Sequence, residues 1–394
     1  MWSLGIWVSW ASESDRASLI QLRSPSFRVN SGNISIWGPP ASAKFAVAYV
    51  WSDADVFFHQ QGWAVPGQSR EENDMNYLGP FASGMGLCAL AHSALASLGQ
   101  LANTGAEAVV LTDNMKEGDE EYLRKLGVRV VRTNLTELYT FKKLEHIIRS
   151  SDYYGYTEEG RRHGFFKERS CMLKAGLAAL DYELLVYLDV DTVAVRPPSL
   201  EVLGMKGWEM FSYTVENAPI SGGDFLLRPS HGAFHDMIRL MDVGFSRDLG
   251  WGKLGLPVEK WGGLRCQFAS NHHYCQEKPD FNHWDFLAAE GDKGIMYASY
   301  GLVRRTLDNK SGKRRFQKWA GSFGFYGMQK PWMPQPCSYN NGWLKDRIEL
   351  YWQLYANQSR PKMQGLRTSC VARMDAAWES FKQCATATGQ GAAE

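Results

Sequence analysis

Leu184-Leu185-Val186-Tyr187-Leu188-Asp189-Val190-Asp191 is the stretch on which the fold turns. A short apolar run with no Gly or Pro predicts a strand buried on both faces. Two carboxylates follow it at positions i and i+2. In an open α/β sheet, ligands sit beyond the carboxyl ends of the strands. Two carboxylates at such an end can hold a divalent cation that bridges phosphate oxygens and neutralises charge on a departing diphosphate. Taken alone, the pair is equally consistent with a solvated strand end.

Working outward, Lys167 to Leu180 predicts a helix with an apolar face just before that strand. Upstream, Phe45 to Trp51 (FAVAYVW), Glu107 to Thr112 (EAVVLT) and Val128 to Val131 predict further strands. Leu87, Leu90, Ala91, Ala94, Leu95, Leu98 and Leu101 recur at helical spacing, and Asp119 to Leu126 reads as helical. Residues 52–85, polar and Gly-rich, are expected as a long loop. Downstream, Phe225 to Leu227 predicts a strand, and residues 229–243 a helix with Pro229 near its first turn. Strands alternating with helices argue for a mainly parallel sheet in an α/β layer. Leu344, Ile348, Tyr351 and Tyr355, then Val371, Met374, Trp378 and Phe381, predict two amphipathic helices packed back on the domain. The expected organisation is a poorly structured extension over 1–43, a domain over 44–335 and a C-terminal helical segment over 336–394.

Composition limits what this domain does. Of 394 residues, 44% are hydrophobic, enough for a full core. Lys and Arg number 43 against 42 Asp and Glu, and a net charge of +1 excludes a polybasic binder of nucleic acid or membrane. Aromatics at 13% point away from disorder. No stretch reaches the roughly 18 uninterrupted apolar residues of a spanning helix, so no transmembrane anchor is expected. Met1 to Ala11 is apolar but carries serines and no basic region, which makes a poor signal peptide. Seven cysteines, an odd number with no CxxC, argue against a disulfide scaffold. N-x-[S/T] sequons at Asn33, Asn134, Asn309 and Asn357 fit a secretory route without excluding the cytoplasm.

Phe166 to Ser199 (FKERSCMLKAGLAALDYELLVYLDVDTVAVRPPS) resembles the core of glycosyltransferase family 8, the glycogenin-like enzymes. Three more segments follow in the family's order. Ser221-Gly222-Gly223-Asp224-Phe225-Leu226-Leu227-Arg228-Pro229-Ser230 resembles its N-[A/S]-G strand, and Gly291-Asp292-Lys293-Gly294-Ile295-Met296 its G-D-Q-G-L-L segment. Gly327-Met328-Gln329-Lys330-Pro331-Trp332 resembles its G-x-x-K-P-W. The resemblance implies a GT-A-type, Rossmann-like α/β fold with a mixed, mainly parallel sheet flanked by helices. It implies retaining transfer of a hexose-class sugar from a nucleotide sugar, UDP for preference, to a hydroxyl of a glycan, protein or polyol. Asp189 and Asp191 would hold Mn²⁺ or Mg²⁺, and Lys330 would meet the diphosphate as a point charge. Lys174 and Asp292 would lie near the donor sugar, and the Ser221, Gly222 and Gly223 backbone would pass close to it, as would Gly327. Tyr49, Ser52 and Asp53 fall where the family places the uridine.

The departures are specific. The family's metal-completing His is Gly324 in this chain, the Asn of N-[A/S]-G is Ser221, and the Gln of G-D-Q is Lys293. The metal site is therefore expected to be weak. Lys293 is expected either to take over charge from the metal or to mark a relative that binds nucleotide sugars without turnover. Two other patterns carry less. Gly250-x-Gly252-x-x-Gly255 follows a helix and precedes Pro257, which is wrong for a dinucleotide loop. Cys266, His272, His273, Cys275 and His283 crowd an irregular region without zinc-finger spacing. His92, on a Leu/Ala helix, reads as a core histidine.

Overall fold

The computed structural model describes residues 27–63, 85–139, 158–214, 218–246, 249–254, 265–269, 272–276, 284, 286, 288–309, 316, 320–324, 331 and 342–387. Its strands are β1 (Phe27–Ser31), β2 (Ile34–Gly38), β3 (Phe45–Trp51), β4 (Glu107–Thr112), β5 (Val128–Thr133), β6 (Leu184–Leu188), β7 (Thr192–Ala194), β8 (Met210–Phe211), β9 (Asp224–Leu227), β10 (Phe245–Ser246), β11 (Gly250–Trp251), β12 (Arg265–Ala269), β13 (His272–Gln276), β14 (Leu307–Asp308) and β15 (Ser322–Gly324). Its helices are α1 (Ala54–Gln60), α2 (Met85–Gln100), α3 (Glu117–Lys125), α4 (Glu158–Cys171), α5 (Leu173–Gly176), α6 (Leu200–Gly204), α7 (His231–Val243), α8 (Asp292–Met296), α9 (Gly342–Leu354), α10 (Arg360–Gln364) and α11 (Thr368–Ala387).

The main sheet has the order β1-β2-β5-β4-β3-β6-β9-β8-β14. Its centre, β5-β4-β3-β6, is parallel, and β2 and β9 run against the rest. This is the mixed, mainly parallel sheet flanked by helices that the strand–helix alternation predicts. Period-two alternation divides the central strands between two cores. Ala46, Ala48 and Val50 face one core with Leu185 and Tyr187. Val47, Tyr49 and Trp51 face the other with Val186 and Leu188. Helices α1, α4, α5, α7 and α8 cover the first face; α2, α3 and the C-terminal helices α9, α10 and α11 cover the second.

Local chemistry sets the helix ends. Asp53 caps α1 by accepting from the Val56 N–H, and Ser230 caps α7 by accepting from Ala233. Gly244 follows α7 with φ +91°, a conformation that favours glycine. The single helix expected over 167–180 is instead α4, α5 and a 3₁₀ turn over Leu177–Ala179. At Gly176 a Cβ would meet Leu111 Cδ2 at 2.7 Å, so the chain passes close to β4 there.

Three expectations change. Residues 27–38, assigned by composition to a poorly structured extension, form the β1–β2 hairpin, and β2 pairs with β5. Val29, Ile34 and Ile36 point into the core, so alternation outweighs a polar average. Within 52–85, Asp53 nucleates α1, and residues 64–84 lie outside the described residues. A disulfide joins Cys88 on α2 to Cys370 on α11, both buried, although the cysteine count argues against a disulfide scaffold. Among the described residues, no helix is long and apolar enough to cross a membrane.

Candidate active site

The chain lays down β3, β4 and β5 to one side, then returns to place β6 on the other side of β3. That reversal is a topological switch point, and the crevice beyond the carboxyl ends of the two strands is where such sheets bind ligands. Ser52 and Asp53 follow β3; Asp189 and Asp191 follow β6. A larger cavity of about 1050 Å³ lies along the β1–β2 hairpin and the amino ends of β4 and β5, near Glu107, Gly127 and Val128, which is the wrong end for that chemistry.

Three segments far apart in sequence meet at the β6 end. The Lys174 ammonium donates to the Gly222 carbonyl at 2.6 Å and to Asp292 Oδ2 at 2.6 Å, and stands 3.9 Å from Asp189 Oδ1. It also lies 5.0 Å from the centre of the Tyr187 ring. Burial works against the charge on Lys174, but Asp292, Tyr187, Cys171 and Asp189 outweigh it and hold its pKa well above the usual lysine range. Asp292 also accepts from the Lys293 N–H at 2.8 Å, so both of its oxygens are engaged. Lys293 lays its stem across Gly222: a Cβ there would sit 3.1 Å from Lys293 Cε and 3.1 Å from Asp292 Oδ2. Burial lowers the Lys293 pKa, opposed by Asp292 and reinforced by Lys174.

The two carboxylates of the D-x-D behave differently. Asp189 has a 46% exposed side chain and accepts from the Tyr187 hydroxyl at 2.7 Å. Its backbone N–H donates to Gly223 O at 2.9 Å, which ties the strand end to the glycine loop. Asp191 is buried, with the Thr192 hydroxyl 3.3 Å from Oδ1, and its charge raises the pKa of Tyr351 on α9, second to burial. Gly324 pairs with Thr192 across β15 and β7, so the position lies beside the D-x-D and brings no side chain to it. Among the described residues, no three His, Cys, Asp or Glu side chains converge as metal ligands. Two carboxylates alone fit a Mg²⁺-like cation held mainly by ligand oxygens and water.

The structure brings together Lys174, Gly222, Gly223, Asp189 and Asp292, and keeps Ser221 close by. Ser221 Oγ donates to Asp224 Oδ1 at 3.0 Å and accepts from Gly223 N at 3.3 Å, holding the loop. Ser52 and Asp53 lie at the β3 end but are engaged locally, the Ser52 hydroxyl and the Asp53 N–H both donating to Asn114 Oδ1. Tyr49 corrects an expectation. It is wholly buried under α2 with its hydroxyl 3.1 Å from Ser97 Oγ, because alternation turns it into the core instead of the crevice. Gly327 and Lys330 lie outside the described residues, as do Gly255 and His283. Cys266, His272, His273 and Cys275 fall on β12 and β13, with Cys266 opposite Cys275, in a stretch whose side chains are outside the description.

Two features escape sequence reasoning. Tyr187 orients Asp189, and the signal was present: residues two apart on a strand share a face. A cleft of about 670 Å³ at the carboxyl ends of β4 and β5 is lined by Asp113, Asn114, Lys116, Arg132 and Arg169. Asp113 accepts there from Arg169 at 2.5 Å and from Thr136 at 2.7 Å, contacts across chain distances that no local pattern reveals.

No protein-family model matches the chain, and no curated protein matches it in sequence. Among solved structures it is similar to the galactosyltransferase LgtC in complex with donor and acceptor sugar analogs, at 10% identity and TM-score 0.40, over 80% of this chain and 96% of that one. It is similar to the glycosyltransferase GlyE of Streptococcus pneumoniae TIGR4 at 9% identity and TM-score 0.35, over 84% and 64%. The apo form of mouse xyloside xylosyltransferase 1 is similar at 9% identity and TM-score 0.33, over 71% and 97%. At these scores the likeness carries no functional weight.

Proposed function

We propose that this chain is a glycosyltransferase that moves a hexose-class sugar from a nucleoside-diphosphate donor, UDP for preference, to a hydroxyl acceptor with retention. One observation carries the reading. Lys174, Gly222 and Asp292, each from a different segment that resembles family 8, meet through hydrogen bonds of 2.6 Å beside Asp189. Separate chance matches would have no reason to converge at a switch point.

The roles follow from the contacts. Lys174 fixes the glycine loop and Asp292 in one arrangement, so the donor sugar meets a preorganised wall. Tyr187 holds the exposed Asp189 in place. Asp189 and Asp191 are the residues that would hold a divalent cation, which when bound neutralises charge on the diphosphate oxygens. Lys330 is assigned to the leaving diphosphate from its motif alone. The acceptor is a hydroxyl of a glycan, protein or polyol. A hydrolysis screen over nucleotide sugars, with and without Mn²⁺, tests the reading. Release of nucleoside diphosphate from at least one donor is expected; tight donor binding with no release from any would favour a binding protein without turnover.

A further inference from the structure

We propose that the Lys293 ammonium supplies positive charge to a nucleoside diphosphate in this cleft, in addition to the Lys330 assigned from its motif, so that the nucleotide binds without a metal ion. The proposal rests on the transferase reading and deepens it. Among the described residues, the Lys174 ammonium is already committed: it is bound to the Gly222 carbonyl and Asp292 and faces Asp189. Lys293 makes no side-chain hydrogen bond or ion pair with a described residue. It is half-buried, with Cε and Cγ 3.1 and 3.4 Å from where a Gly222 Cβ would be. The adjacent Gly223 carbonyl accepts from the Asp189 backbone, which places the lysine stem at the end of β6. A half-buried ammonium whose neighbouring carboxylate, Asp292, is already bound by Lys174 is costly, and a diphosphate would supply a counter-charge of its own.

The carboxylates point the same way. Asp189 accepts from Tyr187 and faces Lys174, Asp191 is buried beside the Thr192 hydroxyl, and Gly324 adds no third ligand. A cation there gains little from the protein, whereas an ammonium on the chain is always present. Glycine at 222 lets the Lys293 stem lie this close, since a Cβ there would press on Cε at 3.1 Å.

Calorimetric titration of the full chain with UDP tests this, in EDTA, in Mn²⁺ and in Mg²⁺. Wild type is expected to bind UDP in EDTA, with either metal improving affinity by less than about threefold. Lys293→Gln should weaken binding in EDTA by about tenfold or more and make it respond to Mn²⁺, while Lys293→Arg should retain metal-free binding. Wild-type binding that appears only on adding metal would overturn the proposal and leave the transferase reading standing. Equal affinity of wild type and Lys293→Gln in EDTA would overturn it too. An absence of UDP binding under every condition overturns both.

Discussion

Tyr187 and Leu188 are neighbours on β6 and look into opposite chemistry. Tyr187 faces the core of α4, α5 and α8, whose upper rim holds Lys174, Asp292 and Lys293 around the exposed Asp189. Leu188 faces the core of α2 and the C-terminal helices, where the polar groups are buried. There the Ser93 hydroxyl donates to Val190 O at 2.7 Å, His92 Nδ1 lies 2.8 Å from Ser359 Oγ, and Cys88 is bonded to Cys370. The first face is held by charge that a ligand can share; the second is an anchor that keeps the strand end rigid. Rigidity on one side lets the other hold strained electrostatics, because loosely held charges would relax away from a productive arrangement.

The sharpest way to break this contrast is to remove the central cation. Lys174→Met would leave the buried Asp292 without its ion-pair partner, and the expected loss is about 3–5 kcal/mol in urea unfolding. Adding Asp292→Asn to that variant should recover part of the loss; a loss under about 1 kcal/mol would mean the pair behaves as a surface contact.

The anchor face is tested next. Cys88→Ala with Cys370→Ala removes a bond across 282 residues, and about 2–5 kcal/mol of stability should go with it. Nucleotide affinity should stay within about twofold, since no cleft residue touches the bond. A large loss of affinity at full folding would show that the two faces are coupled.

The smallest effect is a pH dependence confined to the anchor. Burial pushes the His92 pKa down to about 3, partly opposed by a backbone hydrogen bond with Tyr351. The unfolded chain takes up the proton near pH 6.5, and the native state refuses it until about pH 3. Stability from this group is therefore complete above the unfolded value and is lost as pH falls, by about 2 kcal/mol at about pH 5. Urea midpoints at neutral and acid pH should separate in wild type and converge in His92→Gln. Equal separation in both proteins would assign the acid sensitivity elsewhere.

Much of this was legible in residue order. The strand at Leu184, the helical periodicity from Leu87 and the paired helices after Gly342 follow from local spacing, which is what burial on one face imposes. The motifs single out Lys174, Asp292 and the glycine loop, which the fold brings together. Tyr49 was misread because a strand-end position says where the backbone leaves the sheet, while the parity of the residue decides which way the side chain points. The hairpin over residues 27–38 was missed because a Ser-rich average hides an alternating Val29, Ile34 and Ile36.

The sequence alone determined the secondary elements, the alternating buried strands and the residue types at the β6 end, since these depend on contacts within a few positions. Only the tertiary structure decided which of those residues meet. Lys174 and Asp292 are 118 positions apart and share a hydrogen bond of 2.6 Å; Cys88 and Cys370 are 282 apart and share a covalent one. Two aspartates two residues apart ended in different surroundings, one with a half-exposed side chain and one buried. The physical reason is that pairing and burial depend on strand order and on the face each residue presents, and a chain read in one dimension carries no record of which distant surface will cover it.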